Sequence, residues 1–208
     1  PAMRTLYHCL SARSFRPRWT MEELGLDYQL VVLPFPPRQF KREYLNTNPL
    51  GTVPAFFDDE TRMTESAAIC QYLVERYGPT PLKVDLTEPD YGAWLNFLHF
   101  GEATLTFPQT LVLRYTQLEK PENRNPKVAS DYRRWFIART TWAERALSDG
   151  RPWLCGDEFT VADIAVAYAL LLAGNLGHLG EVGPHLLSYW ERCQARDGFQ
   201  RAKAAQKA

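Results

Sequence analysis

Asn48-Pro49-Leu50-Gly51-Thr52-Val53-Pro54-Ala55-Phe56, with Thr64-Glu65-Ser66 shortly after it, is the stretch from which the rest of the chain is read. A proline inside a β-like run cannot donate to a sheet ladder, so Val53-Pro54 marks an edge or a bend, the setting in which a cis X-Pro bond is usually found. With that bond cis, the Val53 N–H and C=O are expected to pair with an extended, peptide-like ligand. Thr64-Glu65-Ser66 sits where a short strand gives way to a helix, because Ile69, Tyr72, Leu73 and Tyr77 recur on one helical face. The first N–H groups of a helix lack intrahelical partners and favour an anion, the Ser66 hydroxyl adds a donor, and Glu65 can face a ligand ammonium. Taken singly these pieces are ordinary turn and N-cap chemistry. Their order and spacing are what is specific.

The composition narrows the classes. A chain of 208 residues can bury a real core as one large domain or two small ones. Lys plus Arg and Asp plus Glu both number 24, and this balance argues against nucleic acid or an anionic membrane as the main partner. No apolar run reaches transmembrane length and no signal peptide opens the chain, so the expected location is cytoplasmic. Pro1 and Ala2 precede Met3, which reads as the natural start. Cys9, Cys70, Cys155 and Cys193 form no C-x-x-C pair, and His8, His99, His178 and His185 lack ligand spacing, so no metal is expected.

In chain order, Thr5 to Leu10 reads as a strand and Ser11 to Ser14 as a polar break. A helix follows from Phe15 to Leu24, stopped by Gly25, with Pro17 confined to its first turn. Tyr28 to Leu33 reads as a second strand, and Gln39 to Leu45 as a short helix carrying Arg38 and Lys41 close to the ligand. The strand after Pro54 turns at Asp58-Asp59 into a partner around Arg62-Met63. This order, β-α-β-α-β-β-α, is the thioredoxin-like arrangement and is assigned to residues 3–79. Gly78-Pro79-Thr80-Pro81 opens a linker over 80–87. Residues 88–208 read as an all-helical domain, so the fold class is α/β followed by all-α. Three helix starts are expected there: a Thr87/Asp90 capping box, Asn125-Pro126, and a Thr160/Asp163 capping box ahead of a helix, Ile164 to Leu172, that is apolar all round.

The pairing of NPLGTVPAF with TES closely resembles the glutathione site of the cytosolic glutathione transferase superfamily, and Phe159-Thr160-Val161-Ala162-Asp163-Ile164 resembles the cap in that family's second domain. The resemblance covers nearly the whole chain. It implies that Val53, ahead of the cis Pro54, pairs with the cysteinyl backbone of glutathione, and that Glu65 and Ser66 hold the γ-glutamyl end. It also implies a homodimer with glutathione as co-substrate and a small hydrophobic electrophile as second ligand.

Such an enzyme must ionise the glutathione thiol, because the thiolate is the nucleophile. Lowering a thiol pKa of about 8.5 by about 2 units takes roughly 2.7 kcal/mol of preferential thiolate stabilisation, within reach of one hydroxyl hydrogen bond and a helix N-terminus. The group is expected at the end of the first strand, where the family has Tyr, Ser or Cys. Leu6-Tyr7 through Pro17 resembles the bacterial beta-type pattern with Arg13 at the cysteine position and Ser14 after it, and also resembles the lignin β-etherase-like branch. A theta- or delta-like register falls on Ala12 instead. Ser14, beside the helix start, and Ser11, earlier in the loop, are the hydroxyl candidates; Arg13 is a third, since a guanidinium favours a thiolate. Tyr7 lies inside the strand and reads as core or pocket wall. Trp94, Phe97, Phe100, Phe107 and Tyr115 are the expected aromatic wall of an electrophile pocket between the domains. The leading reading is conjugation of glutathione to an aromatic electrophile, or cleavage of an aryl ether or halide with it. The alternatives are a non-catalytic ligand-binding protein of the same fold and glutathione-dependent thiol exchange through Cys9.

Overall fold

A computed structural model describes residues 3–204. Pro1, Ala2 and the last four positions of the expected helical domain lie outside the described residues. By contacts the chain divides into two compact units, one formed by residues up to Lys83 together with those from Gln194 onward, the other by Val84–Cys193.

The first unit contains β1 (Thr5–His8), α1 (Phe15–Leu24), β2 (Gln29–Val32), α2 (Pro37–Phe40), a 3-10 turn at Arg42–Asn46, β3 (Ala55–Asp58), β4 (Thr61–Met63) and α3 (Ser66–Arg76). This is the expected element order. The sheet runs β2-β1-β3-β4, with β1 parallel to β2 and antiparallel to β3, and β3 antiparallel to β4. Successive strand side chains face opposite ways. Leu6 therefore packs with Met21, Phe56, Ile69 and Leu73, while Tyr7 joins a cluster of Cys9, Leu33, Tyr44, Val53 and Ala55. β1 stops at His8 instead of running to Leu10. The Cys9 N–H turns away to Ser14 Oγ (3.2 Å), and the Cys9 carbonyl accepts from Ala12 N–H (3.2 Å). The expected Gln39–Leu45 helix is instead α2 and the 3-10 turn, separated at Lys41, whose backbone (φ −143°, ψ 68°) is not helical.

In the second unit α4 (Tyr91–Phe100) continues through a π turn at Gly101–Thr106 into α5 (Phe107–Leu113) and a second π turn at Arg114–Leu118. α6 (Pro126–Leu147), α7 (Val161–Asn175) and α8 (Pro184–Gln194) follow. Asn125 Oδ1 accepts from Val128 N–H (3.1 Å), with Pro126 in the first helical turn. The Thr160/Asp163 capping box is formed, and every residue from Val161 to Ala173 is buried, as expected of a helix apolar on all faces. A Cβ on Gly101 would lie 2.5 Å from the Ala165 carbonyl, so only glycine admits the α7 backbone there. The Thr87/Asp90 box is not formed. The helix starts at Tyr91 after an Asp90 that makes no side-chain cap, because Glu88 Oε1 takes the Asp85 N–H (2.8 Å) and holds that stretch in a turn.

The last helix, α9 (Asp197–Ala204), was expected within the helical domain, yet by contacts it belongs to the first unit. Phe199 meets the Phe15 and Trp19 rings edge-on, at 5.4 and 5.0 Å, and Arg196 pairs with Glu23 at 2.8 Å. Aromatic burial against α1 is the physical reason.

Candidate functional site

The strand register brings the chemistry to one end of the sheet. β3 pairs Phe56 with Met63, so Val53, three residues before Phe56, and Ser66, three after Met63, flank the same end of that hairpin. β1 pairs Tyr7 with Ala55, which sends Cys9 and the loop to Ser14 out at that end as well. The carboxyl ends of β1 and β4 and the amino end of β3 thus converge in the first unit.

The approach to Val53 is set by local turn chemistry. The Gly51 N–H donates to Asn48 O (2.9 Å) and Leu50 N–H donates to Asn48 Oδ1 (3.1 Å), closing a turn with Gly51 in the left-handed region at φ 64°. A Cβ there would come within 2.8 Å of Arg38 Cβ, so glycine is required by both conformation and space. Asn48 Nδ2 and the Tyr44 hydroxyl both donate to Thr52 O, at 2.9 and 2.8 Å, and hold the segment just ahead of Val53. The Val53–Pro54 bond is cis, as expected, and Val53 lies outside the β1–β3 register.

Glu65 is the N-cap of α3, is exposed, and makes no side-chain cap. The first turn of α3 therefore keeps N–H groups without a side-chain acceptor from its own cap. Ser66 is 4% exposed and its Oγ accepts from Arg16 Nη1 at 3.1 Å. Arg38 is exposed on α2. Lys41 is also exposed but pairs with Glu43 at 2.8 Å.

Of the loop candidates, Ser14 is fully buried. Its Oγ accepts from Cys9 N–H and lies 2.7 Å from His8 Nδ1, so the hydroxyl faces inward and does not cap α1. Ser11 is half-buried at the tip of the turn, with φ 52°, and Arg13 is half-buried beside it. Burial pushes the Cys9 thiol up to about 12. The Tyr7 ring meets Tyr44 at a tilt and Phe57 edge-on, with centroids 5.4 and 5.8 Å away. With Phe57 and Arg62 it edges a cavity of about 320 Å³ on that sheet face.

In the second unit Trp94 and Phe97 are 0% and 5% exposed, which makes them core residues and corrects their expected place on an accessible wall. Each is packed inside the helical layer, where aromatic bulk fills volume. Phe107 is exposed, and Phe100 and Tyr115 are half-buried. Among the described residues no group of three or more His, Cys, Asp or Glu side chains is placed to hold a metal ion.

Two residues escaped the sequence reading, Arg16 and His8, both 0% exposed. A polar residue type signals exposure in sequence, and only the third dimension shows that their partners are buried hydroxyls. The one available signal was that Arg16 precedes Pro17 in a short helix already crowded with Phe15, Trp19 and Met21.

Comparison with known proteins adds a family. A profile described as Glutathione S-transferase, N-terminal domain, matches residues 6–81, and one described as Glutathione S-transferase, C-terminal domain, matches residues 141–199. Glutathione S-transferase GstA of Escherichia coli O157:H7 is 29% identical over 217 aligned positions, covering 97% of this chain and 98% of its own. A solved glutathione transferase from Methylococcus capsulatus superposes with a TM-score of 0.83 at 27% identity, over 98% of both chains. Glutathione transferase URE2P8 from Phanerochaete chrysosporium, solved with oxidized glutathione, shares the fold with a TM-score of 0.84 at 20% identity, over 99% of this chain and 95% of its own.

Proposed function

The chain belongs to the glutathione S-transferase family and is an enzyme of that family, and from that premise we propose that it joins glutathione, through Val53, Glu65 and Ser66, to a hydrophobic, aromatic electrophile. The observation that carries the proposal is the register that gathers Val53, the open start of α3 and the β1–α1 loop at one end of the sheet. The Val53 backbone takes the cysteinyl residue, Ser66 and the first N–H groups of α3 take the γ-glutamyl carboxylate, and Glu65 takes the ammonium. Arg38 and Lys41 face the glycyl carboxylate, Lys41 at the cost of its Glu43 partner.

In this reading the thiol loses its proton to solvent, and the thiolate attacks the electrophile's carbon while a halide or aryloxide leaves with the bonding pair; where there is no leaving group, the thiolate adds across an activated double bond or opens an epoxide, and the displaced electron pair takes a proton from solvent. Ser11 is the activating hydroxyl. Ser14 is held inward by Cys9 N–H and His8, and Ser11 stands at the tip of the turn that follows β1. Exposed Phe107 and half-buried Tyr115 are the aromatic groups through which the helical unit selects an aryl electrophile. Thiol exchange through Cys9 is disfavoured, because a thiol raised to about 12 holds almost no thiolate at neutral pH. The homodimer and the cytoplasmic location follow from the family as expectations; light scattering at micromolar concentration tests the first.

The test is the thiolate absorbance of bound glutathione against pH. Ser11→Ala is expected to raise the thiol pKa by about one unit, worth roughly 1.4 kcal/mol, with glutathione affinity kept. An unmoved pKa in Ser11→Ala and in Arg13→Ala transfers the role to backbone N–H groups.

A further inference from the structure

The carboxyl half of α1, the approach to β2 and α9 border a cavity of about 540 Å³, whose walls include Arg18, Glu22, Leu26, Tyr28, Leu30 and Arg201. Because β2 runs parallel to β1, its first residues lie at the end of the sheet opposite the carboxyl end of β1, and the cavity is remote from the site described above. Arg18 is 1% exposed, and its Nε and Nη1 are shielded from solvent without a hydrogen-bond partner. The acid that would ordinarily answer it is Glu22, one turn further along α1. Glu22 is committed elsewhere: Oε1 accepts from the Tyr28 hydroxyl (2.6 Å) and Oε2 from Arg201 Nε (3.3 Å). Tyr28 offers no countercharge, since burial, and next its bond to Glu22, push the phenol up to about 12 against the pull of Arg18. Asp27, the other acid on the cavity, is exposed to water, which screens its charge. The carbonyls at the end of α1, which would repel an anion, are also taken: Met21 O accepts from Leu26 N–H (3.0 Å), and Glu22 O from Gly25 N–H (3.3 Å) and Arg201 Nη2 (3.0 Å). What is left on this cavity is one buried positive charge with no acid paired to it, an arrangement that costs stability until something answers it.

We propose that the cavity is a binding site for a small organic monocarboxylate, with its carboxylate on Arg18 and a short apolar body against Leu26, Leu30 and the Tyr28 ring. One negative charge balances the one cation left over. A dianion such as phosphate brings a second charge toward Asp27, and a neutral molecule leaves Arg18 unanswered. The volume is in the range of ordinary small-molecule sites, which join apolar walls to a few placed polar groups.

The experiment is titration of the ¹⁵N-labelled full chain with 3-methylbutanoate, with its neutral isostere 3-methylbutanamide, and with inorganic phosphate. The carboxylate is expected to give saturable amide shifts at Leu26, Tyr28 and Leu30, at an affinity at least about tenfold above that of the amide, the ratio a charge-assisted hydrogen bond supports. Phosphate is expected to move none of them. Arg18→Met keeps the bulk and removes the charge. It is expected to fold with an equal or higher denaturant midpoint, because an apolar side chain relieves an uncompensated buried charge, and to bind the carboxylate at least about tenfold more weakly. Equal binding of acid and amide, shifts that do not saturate, or phosphate binding as tight as the carboxylate's overturns the proposal. So does a lowered midpoint in Arg18→Met with carboxylate affinity unchanged, the mark of a purely structural arginine. Should Arg18→Met not fold, the wild-type ratio of acid to amide decides.

Discussion

The starts of α3 and α7 are built from similar sequence, Thr64-Glu65-Ser66 and Thr160-Val161-Ala162-Asp163, and they end in opposite states. At α7 the chain satisfies itself. Thr160 Oγ1 accepts from Ala162 N–H (3.2 Å), and the buried Asp163 carboxylate accepts from Thr160 N–H (2.9 Å), Leu154 N–H (3.0 Å) and the Tyr189 hydroxyl (2.9 Å). At α3 the N-cap Glu65 points outward and caps nothing, and the Ser66 oxygen is held by a buried arginine. A helix start that consumes its own donors is a fastening. One that leaves them without a side-chain cap is, in the proposed function, the end that receives the ligand's anion.

This contrast sorts mutational effects by kind. The largest is expected at the fastening: Asp163→Ala strands the Thr160 and Leu154 N–H groups in a dry interior and leaves the Tyr189 hydroxyl only the Asp163 carbonyl (3.3 Å), at a cost of about 3 kcal/mol or more. It should appear as a lower denaturant midpoint, with glutathione affinity of the remaining folded protein unchanged. A stability loss under about 1 kcal/mol would put the two helix starts in one class. Next in size is the receptor. Glu65→Ala is expected to weaken glutathione binding by about 2 kcal/mol by calorimetry and to leave the denaturant midpoint in place, since an exposed side chain without a cap bond stabilises nothing measurable.

A third start sharpens the comparison. Ser14, at the head of α1, combines a hydroxyl with a helix N-terminus as Ser66 does, yet it turns inward to Cys9 and His8. Ser14→Ala is accordingly expected to lower stability by about 1 kcal/mol and to shift the bound thiol's pKa less than Ser11→Ala does. The reverse ordering in pH titrations would assign the activating role to Ser14.

What sequence could and could not reveal follows from the range of the interactions. The element order, the Gly25 stop, the Asn125 and Thr160 caps and the cis bond at Pro54 all depend on residues within a few positions of one another, where spacing is a direct guide to geometry. The failures are long-range or competitive. Arg16 meets Ser66 across 50 positions, and α9 returns to α1 through Phe199 and Trp19; neither contact leaves a periodic trace. Ser14 was placed beside the helix start correctly, but its hydroxyl had a closer competitor in Cys9 N–H, and the direction of a side chain is decided by such competition. Trp94 and Phe97 fell to the ordinary tendency of aromatic rings to fill a helical core.

The most direct test of the central claim, that the open start of α3 is the glutathione site, is a titration of ¹⁵N-labelled protein with glutathione, following backbone amide resonances. The account predicts saturable shifts at Ser66, Ala67 and Val53, with Val161, Ala162 and Asp163 at the closed start of α7 unmoved. Saturable binding by calorimetry that leaves Ser66 and Ala67 where they are would contradict it.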